Sequence, residues 1–134
     1  MILEVEHLSF AYRPERPLFY DVSFAFEQGQ VLSILGANGA GKSTLLNCIA
    51  NLLLPQQGEI RLHGTPLSRL ELREISRIIG YVPQSHTPAY DYTVRDFVVM
   101  GRAPHLGTFQ QPGRADYDLV DATLEEMGLL PLAN

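Results

Sequence analysis

Near the start of the chain, apolar residues alternate with other residues in two short stretches. Leu3 and Val5 alternate with glutamates, and the apolar residues of 22–26 alternate with Ser23 and Ala25. A period of two is that of a half-buried β-strand. The proline-rich residues 13–17 interrupt both patterns, and residues 27–30 turn the chain again. The sequence therefore predicts a hairpin of two antiparallel strands.

A second kind of pattern follows, in which apolar residues are either continuous or spaced by three and four. Residues 31–35 are nearly all apolar, which predicts a central strand covered on both faces. The next apolar face has helical spacing and predicts a helix that Pro55 stops; its members are Leu45, Leu46, Ile49, Leu52 and Leu53. Further short strands are predicted over 59–62 and 78–82, with a short charged helix over 68–77 between them.

Two more helices are predicted after a loop over residues 84–92. Thr93, with Asp96 three residues later, resembles a capping box, and the helix that it opens ends at Gly101. The second helix covers about 115–127. One of its faces is apolar, and Gly128 stands where a C-cap glycine belongs.

A glycine-rich loop, residues 36–44, lies between the predicted strand over 31–35 and the helix that follows. It matches the pattern G-x-x-x-x-G-K-[ST] in the strand–loop–helix context that this motif requires. Glycines let consecutive main-chain N–H groups bend round phosphates, and the N-terminus of the next helix favours negative charge. The alternative is a glycine-rich turn that contains Lys-Ser by chance.

Each residue type in this loop suits one part of a nucleoside triphosphate. Lys42 would bring a positive charge to the terminal phosphates, Ser43 would coordinate magnesium, and Thr44 would reach a neighbouring phosphate oxygen. The sequence therefore predicts ATP and Mg²⁺ as cofactors. The predicted cofactor-binding residues of the loop are Gly36, Ala37, Asn38, Gly39, Ala40, Gly41, Lys42, Ser43 and Thr44.

Composition disfavours several other classes of function. The net charge is −5 and the basic residues are scattered, which argues against a nucleic-acid partner because that binding needs clustered Lys and Arg. Apolar runs are far shorter than the roughly 20 residues of a membrane helix, and acidic residues stand where a secretory signal would have basic ones. We therefore expect a cytoplasmic protein. Cys48 is the only cysteine, which agrees with a reducing compartment, and we expect it to be a small buried residue.

Three motifs in order resemble the ATP-binding cassette domains of ABC transporters. Residues 8–12 look like the family's A-loop, residues 36–44 like its Walker A motif and residues 81–84 like its Q-loop. The resemblance implies that Tyr12 stacks on adenine, and that Gln84 contacts magnesium and relays the nucleotide state to a membrane subunit. It makes Lys42 and Gln84 the catalytic residues and Ser43 and Gln84 the metal ligands. The alternatives are an aromatic packed in the core for Tyr12 and a solvated loop residue for Gln84.

The segment 93–107 is similar to the cassettes of importers for iron siderophores, haem, vitamin B12 and related metal chelates. That resemblance implies an ATPase whose partners are transmembrane permease subunits and a second ATP-binding subunit, assembled on the cytoplasmic face of the inner membrane. His105 lies in this segment, but no second His or Cys stands at ligand spacing, so we expect a loop or packing role for it.

The resemblance implies an α/β fold, in which a P-loop NTPase core sheet carries an N-terminal antiparallel β hairpin and the start of a helical subdomain. The core would cover residues 1–91 and the helical part 92–134. Only about the first half of such a domain is matched, because the signature motif, the Asp-Glu strand and the switch histidine of the family are absent from the sequence. We therefore expect a truncated domain that binds nucleotide, while hydrolysis requires the missing parts.

Two other functions remain open from the sequence. One is a nucleotide-binding or interaction module that assembles without turnover. The other is a small P-loop kinase, which is disfavoured because a hairpin precedes the loop and no arginine-rich lid follows it.

Overall fold

The two alternating stretches form the hairpin that the sequence predicts. Strand β1 covers Leu3–Arg13 and strand β2 covers Arg16–Phe26, so Pro14 and Glu15 make the turn. The strands are antiparallel, with Leu3 opposite Phe26 and Val5 opposite Phe24. Side chains of β1 that point inward, such as those of Val5 and Leu8, are almost completely buried. The period-two pattern is therefore confirmed as strand structure with one face in the core.

The computed structural model describes residues 1–85 and 90–134, which separate into two compact units, Met1–Gly80 and Tyr81–Asn134. In the first unit, β3 (Gln57–Leu62) pairs antiparallel with β1, and β4 (Thr65–Pro66) pairs with β3. The sheet order is β2-β1-β3-β4. The predicted strand over 59–62 is confirmed as part of β3.

The pairing of β1 with β3 is irregular at one point, and a glycine lies there. The register shifts between Glu6 and Ser9, and His7 in this stretch has a positive φ of 52°. Opposite it, Gly58 has a φ of +88°, and the main-chain oxygens of Glu6 and His7 occupy the place where a Cβ would stand. Only glycine fits at this close approach of the two backbones without displacing one of them.

Helices cover the sheet of the first unit. Helix α1 is Lys42–Ile49, and α2, Leu72–Ile78, follows a 3₁₀ turn at Leu67–Arg69, so the helix predicted over 68–77 is split in two. Helix α1 ends well before Pro55, because the N–H groups of Leu52 and Leu53 bond back to the oxygen of Asn47. The core cluster consists of Leu3, Val5, Leu8, Phe10, Leu45, Cys48, Ile60, Leu62, Leu67 and Ile75.

Two predicted strands are wrong. Residues 31–35 and 78–82 form no strand, and Val31, Leu35 and Val82 are each more than nine-tenths exposed. A strand requires a neighbour that accepts and donates main-chain hydrogen bonds, and no segment among the described residues pairs with either stretch. Apolar sequence predicted burial, but it does not supply the pairing partner.

The second unit is helical. Helix α3 covers Val94–Val99 and α4 covers Arg114–Glu126, with 3₁₀ segments at Met100–His105 and Leu130–Leu132. The N-cap prediction is confirmed, since the Asp96 N–H donates to Thr93 Oγ1 at 3.1 Å. Gly128 has a φ of +68° just after α4, as predicted. Val99, Val120, Leu124 and Ala133 form the core of this unit.

The loop predicted over 84–92 includes residues 86–89, which lie outside the described residues. Among the residues that are described, no helix combines the length and the apolarity needed to cross a bilayer.

Candidate functional site

The last three residues of the loop 36–44 are the first three of α1, and two of the glycines before them adopt conformations that other residues rarely adopt. Gly39 has a φ of +80° and Gly41 a φ of +94°. A Cβ on Gly41 would stand 2.9 Å from Leu18 Cγ and 3.1 Å from Phe19 Cδ1, both on β2. Gly41 is therefore required by its conformation and by the close approach of the hairpin. Gly36, by contrast, would place a Cβ in ordinary contact with Ala40, so this loop shape leaves room there.

Lys42 is the first residue of α1 and the only lysine in the sequence. Its Nζ donates to the main-chain oxygens of Gly36 and Ala37, both at 2.8 Å. The ammonium group is thus folded back over the loop and held by neutral acceptors. Anionic phosphate oxygens accept hydrogen bonds from an ammonium group more strongly than carbonyl oxygens do.

The first turn of α1 offers donors and a hydroxyl oxygen. In the described part of the chain, the main-chain N–H groups of Lys42, Ser43 and Thr44 have no acceptor, and a helix N-terminus favours an anion at this position. Ser43 is exposed, so its hydroxyl is accessible. Magnesium prefers oxygen ligands and shares its shell with phosphates and water. These residues therefore fit a magnesium-bound phosphate chain.

Tyr12 lies near the end of β1, and its hydroxyl is 3.1 Å from Thr44 Oγ1. Its ring meets Phe10 edge to face, with centroids 4.9 Å apart. The Tyr12 residue is 68% exposed, so the alternative of a ring packed in the core does not fit this structure. A free aromatic face beside a phosphate-binding loop is suited to a base, and stacking on adenine stays a prediction.

Tyr12 lies beside the loop, whereas Gln84 belongs to the other compact unit of the chain. Gln84 is an exposed residue of the unit Tyr81–Asn134, whereas the loop belongs to Met1–Gly80. Its predicted contact with magnesium and its relay to a membrane subunit therefore stay predictions. His105 ends a 3₁₀ segment and is exposed. No group of three or more His, Cys, Asp or Glu side chains that could hold a metal occurs within residues 1–85 and 90–134.

Two features of the site were not found from the sequence. The side chains of Leu18 and Phe19 lie against Gly41, and Tyr12 bonds to Thr44. The strand patterns cover residues 3–6 and 22–26, so they carry no information on Leu18 and Phe19. Cys48, on the inner side of α1, was found correctly as a buried residue, and desolvation raises the pKa of its thiol.

Comparison with known proteins adds the family context of this geometry. The family described as ABC transporter matches residues 19–134. The chain is 37% identical over 131 residues to the molybdate import ATP-binding protein MolC of Haemophilus influenzae, and the match covers 98% of this chain and 47% of that protein. It is 36% identical over 130 residues to a probable iron chelatin transport ATP-binding protein of Helicobacter pylori, and that match covers 96% of this chain and 51% of the relative.

A solved structure of an inward-facing metal-chelate type ABC transporter is also similar. It superposes with a TM-score of 0.76 at 33% identity, over 99% of this chain and 47% of that one. The likeness confirms the predicted α/β fold class with its N-terminal antiparallel hairpin. The chain spans about half the length of the curated relatives that it matches.

Proposed function

This chain belongs to the ABC transporter family, and from that premise we propose that it is the ATP-binding part of an importer subunit for a metal-containing substrate. The single observation that carries the proposal is the loop 36–44. There, Lys42 lies over the loop, the N–H groups of the first turn of α1 have no acceptor among the described residues, and Ser43 is exposed.

In this proposal, binding is an exchange of partners at Lys42. The ammonium leaves the oxygens of Gly36 and Ala37, 2.8 Å away, and bonds to terminal phosphate oxygens. The main chain of the loop and of the first turn of α1 donates to the remaining phosphate oxygens, and Tyr12 offers its free ring face to adenine. Magnesium, when bound, neutralises phosphate charge. The Ser43 hydroxyl and, by family resemblance, Gln84 would hold it.

We propose that the chain binds ATP without turning it over by itself. Phosphoryl transfer needs a group that orients the attacking water and charges that stabilise the transition state. Within the described residues, no carboxylate makes an ion pair or hydrogen bond with the loop. Hydrolysis would then belong to an assembly with a second ATP-binding subunit and with permease subunits, on the cytoplasmic face of the membrane.

The printed names of similar proteins support a metal-containing substrate. They include a molybdate importer subunit, an iron chelatin transport subunit and a metal-chelate transporter. Together with the resemblance of residues 93–107, they favour a metal chelate such as an iron siderophore, haem or cobalamin over an organic nutrient. A nucleotide-binding module that never takes part in hydrolysis is the second candidate.

The test measures binding of a fluorescent ATP analogue in the presence of Mg²⁺. Lys42→Met should weaken binding by at least about tenfold, because it removes charge-assisted hydrogen bonds to phosphate. Arg114→Met is the matched control, since it removes an exposed positive charge from α4. Equal affinities of the two variants would refute the proposed site. Phosphate release by the chain at the rate of an intact transporter ATPase would refute the proposal that it does not turn over.

The single lysine allows a second, independent measurement. An amine-acylating reagent has only Lys42 and the terminal amine to label. Mg·ATP should protect Lys42 while leaving the terminal amine as an internal reference, and peptide mass spectrometry reads both. Equal labelling of Lys42 with and without Mg·ATP would contradict phosphate binding by this residue.

A further inference from the structure

The β1–β2 hairpin touches the phosphate-binding loop at two separate points. The Tyr12 hydroxyl is 3.1 Å from Thr44 Oγ1 in the first turn of α1. Leu18 and Phe19 of β2 lie against Gly41, the residue just before that turn. The hairpin therefore holds both the end of the loop and the start of the helix.

Core aromatic residues set the orientation of the Tyr12 ring. Phe10, which is buried, contacts the ring edge to face, and Phe10 in turn stacks on Phe19 with centroids 6.0 Å apart. The ring and the hydroxyl of Tyr12 thus each have a partner, while the residue as a whole stays 68% exposed. The hydroxyl, which contacts Thr44, can therefore have a role different from that of the ring face.

The role of the Tyr12 hydroxyl depends on its partner, Thr44. Thr44 is only 7% exposed, and in the described part of the chain its side chain makes one hydrogen bond, to Tyr12. It does not bond back to a carbonyl one turn earlier, as helical threonines often do. A hydroxyl donates one hydrogen bond and accepts two. If Tyr12 donates to Thr44, the Thr44 proton remains available to a phosphate oxygen.

We propose that the Tyr12 hydroxyl positions Thr44 for phosphate recognition, in addition to the contact of its ring with adenine. This rests on the proposed function, because it names how one residue of the same site is held. Tyr12 donates to Thr44 Oγ1, which fixes the Thr44 rotamer and directs its proton toward the phosphate. Two hydroxyls in a chain polarise each other, which strengthens the outer hydrogen bond.

The experiment uses Mg²⁺ complexes of ATP, GTP and inorganic tripolyphosphate, with affinities measured by titration calorimetry. The variants are Tyr12→Phe, which keeps the ring, Thr44→Val, which keeps the shape, and the double variant. Tyr20→Phe is the control, because Tyr20 is an exposed tyrosine of the same hairpin. Thermal unfolding without ligand is recorded for every variant.

Tyr12→Phe should weaken all three complexes by the same factor, about three- to tenfold, as expected for one lost hydrogen bond. Thr44→Val should weaken them as well, and the double variant should bind no worse than Thr44→Val alone. Tyr20→Phe should bind like the unmodified chain. The equal effect on tripolyphosphate, which has no base, separates this role from stacking.

Two results would overturn the inference while leaving the proposed function standing. The first is an unchanged tripolyphosphate affinity in Tyr12→Phe, whether or not the affinities for ATP and GTP or the melting temperature fall. The second is additive effects in the double variant. If the unmodified chain binds none of the three ligands, the proposed function itself fails, and the inference fails with it.

Discussion

Gly58→Ala should strongly destabilise the unit Met1–Gly80. Two effects add at this position. The first is a φ of +88°, which costs an alanine about 1 kcal/mol. The second is contact of the new Cβ with the main-chain oxygen of His7, only 2.5 Å away, and with that of Glu6. Neither oxygen can move without disturbing the pairing of β1 with β3, and overpacking of this kind costs about 1–3 kcal/mol.

The expected loss in the free energy of unfolding is therefore about 2–4 kcal/mol. Gly64→Ala is a matched control, because Gly64 has a similar φ of +77° but nothing within 4 Å of its ideal Cβ. That variant should lose only about 1 kcal/mol. The difference between the two variants isolates the contact with the β1 backbone from the conformational strain.

Urea unfolding followed by far-UV circular dichroism measures both variants, since the chain contains no tryptophan for fluorescence. The midpoints should separate while the slopes of the transition stay equal, which shows that the unfolded ensembles are comparable. Equal midpoints for Gly58→Ala and Gly64→Ala would refute the reasoning. They would mean that the backbones of β1 and β3 do not approach each other at Gly58 as closely as the structure shows.

Three further predictions concern other parts of the chain. Leu124 is fully buried, so Leu124→Ala should cost about 2–4 kcal/mol, whereas the half-exposed Leu119→Ala should cost under about 1; equal shifts in urea midpoint would contradict the packing of α4. The Arg102 side chain, with the Gly113 N–H, lowers the pKa of Asp116, so its stabilisation is complete above the unfolded-state value of about 3.9 and is lost as pH falls through the lower folded-state pKa. Asp116→Asn should thus be less stable at pH 7 and should flatten the acid limb of the stability curve, and an unchanged limb would contradict this. Burial raises the pKa of Cys48, so a thiol reagent should label it far more slowly in the native protein than in urea, and equal rates would show that α1 is open.

Local patterns in the sequence predicted local structure well. The alternation around Val5 corresponds to a real strand face, and Thr93 and Gly128 mark the ends of helices as their chemistry predicts. In each case the signal and its cause lie within a few residues of each other. A period, a cap or a positive φ depends on neighbours along the chain, so it can be inferred without knowing the fold.

Features that depend on distant partners could not be inferred in this way. Residues 31–35 are apolar enough for a central strand, yet Val31 and Leu35 are exposed because no described segment pairs with them. The tyrosine–threonine bond joins residues 32 positions apart. The residues next to Tyr12 in the sequence do not indicate that Thr44 is its partner. The motif predicted a phosphate-binding loop over residues 36–44, but the contacts between the hairpin and this loop could be seen only in the structure.

The two carbonyl oxygens that hold Lys42 also affect the thermodynamics of ligand entry. Since Gly36 O and Ala37 O keep the lysine in one place before any ligand arrives, much of its rotamer freedom is already lost in the resting protein. When a ligand binds the ammonium, the protein loses these two hydrogen bonds. The entropic penalty of ordering a free lysine is small, because the side chain is already ordered. The binding enthalpy should be correspondingly modest, and the loop should discriminate against weak acceptors that cannot displace its own carbonyls.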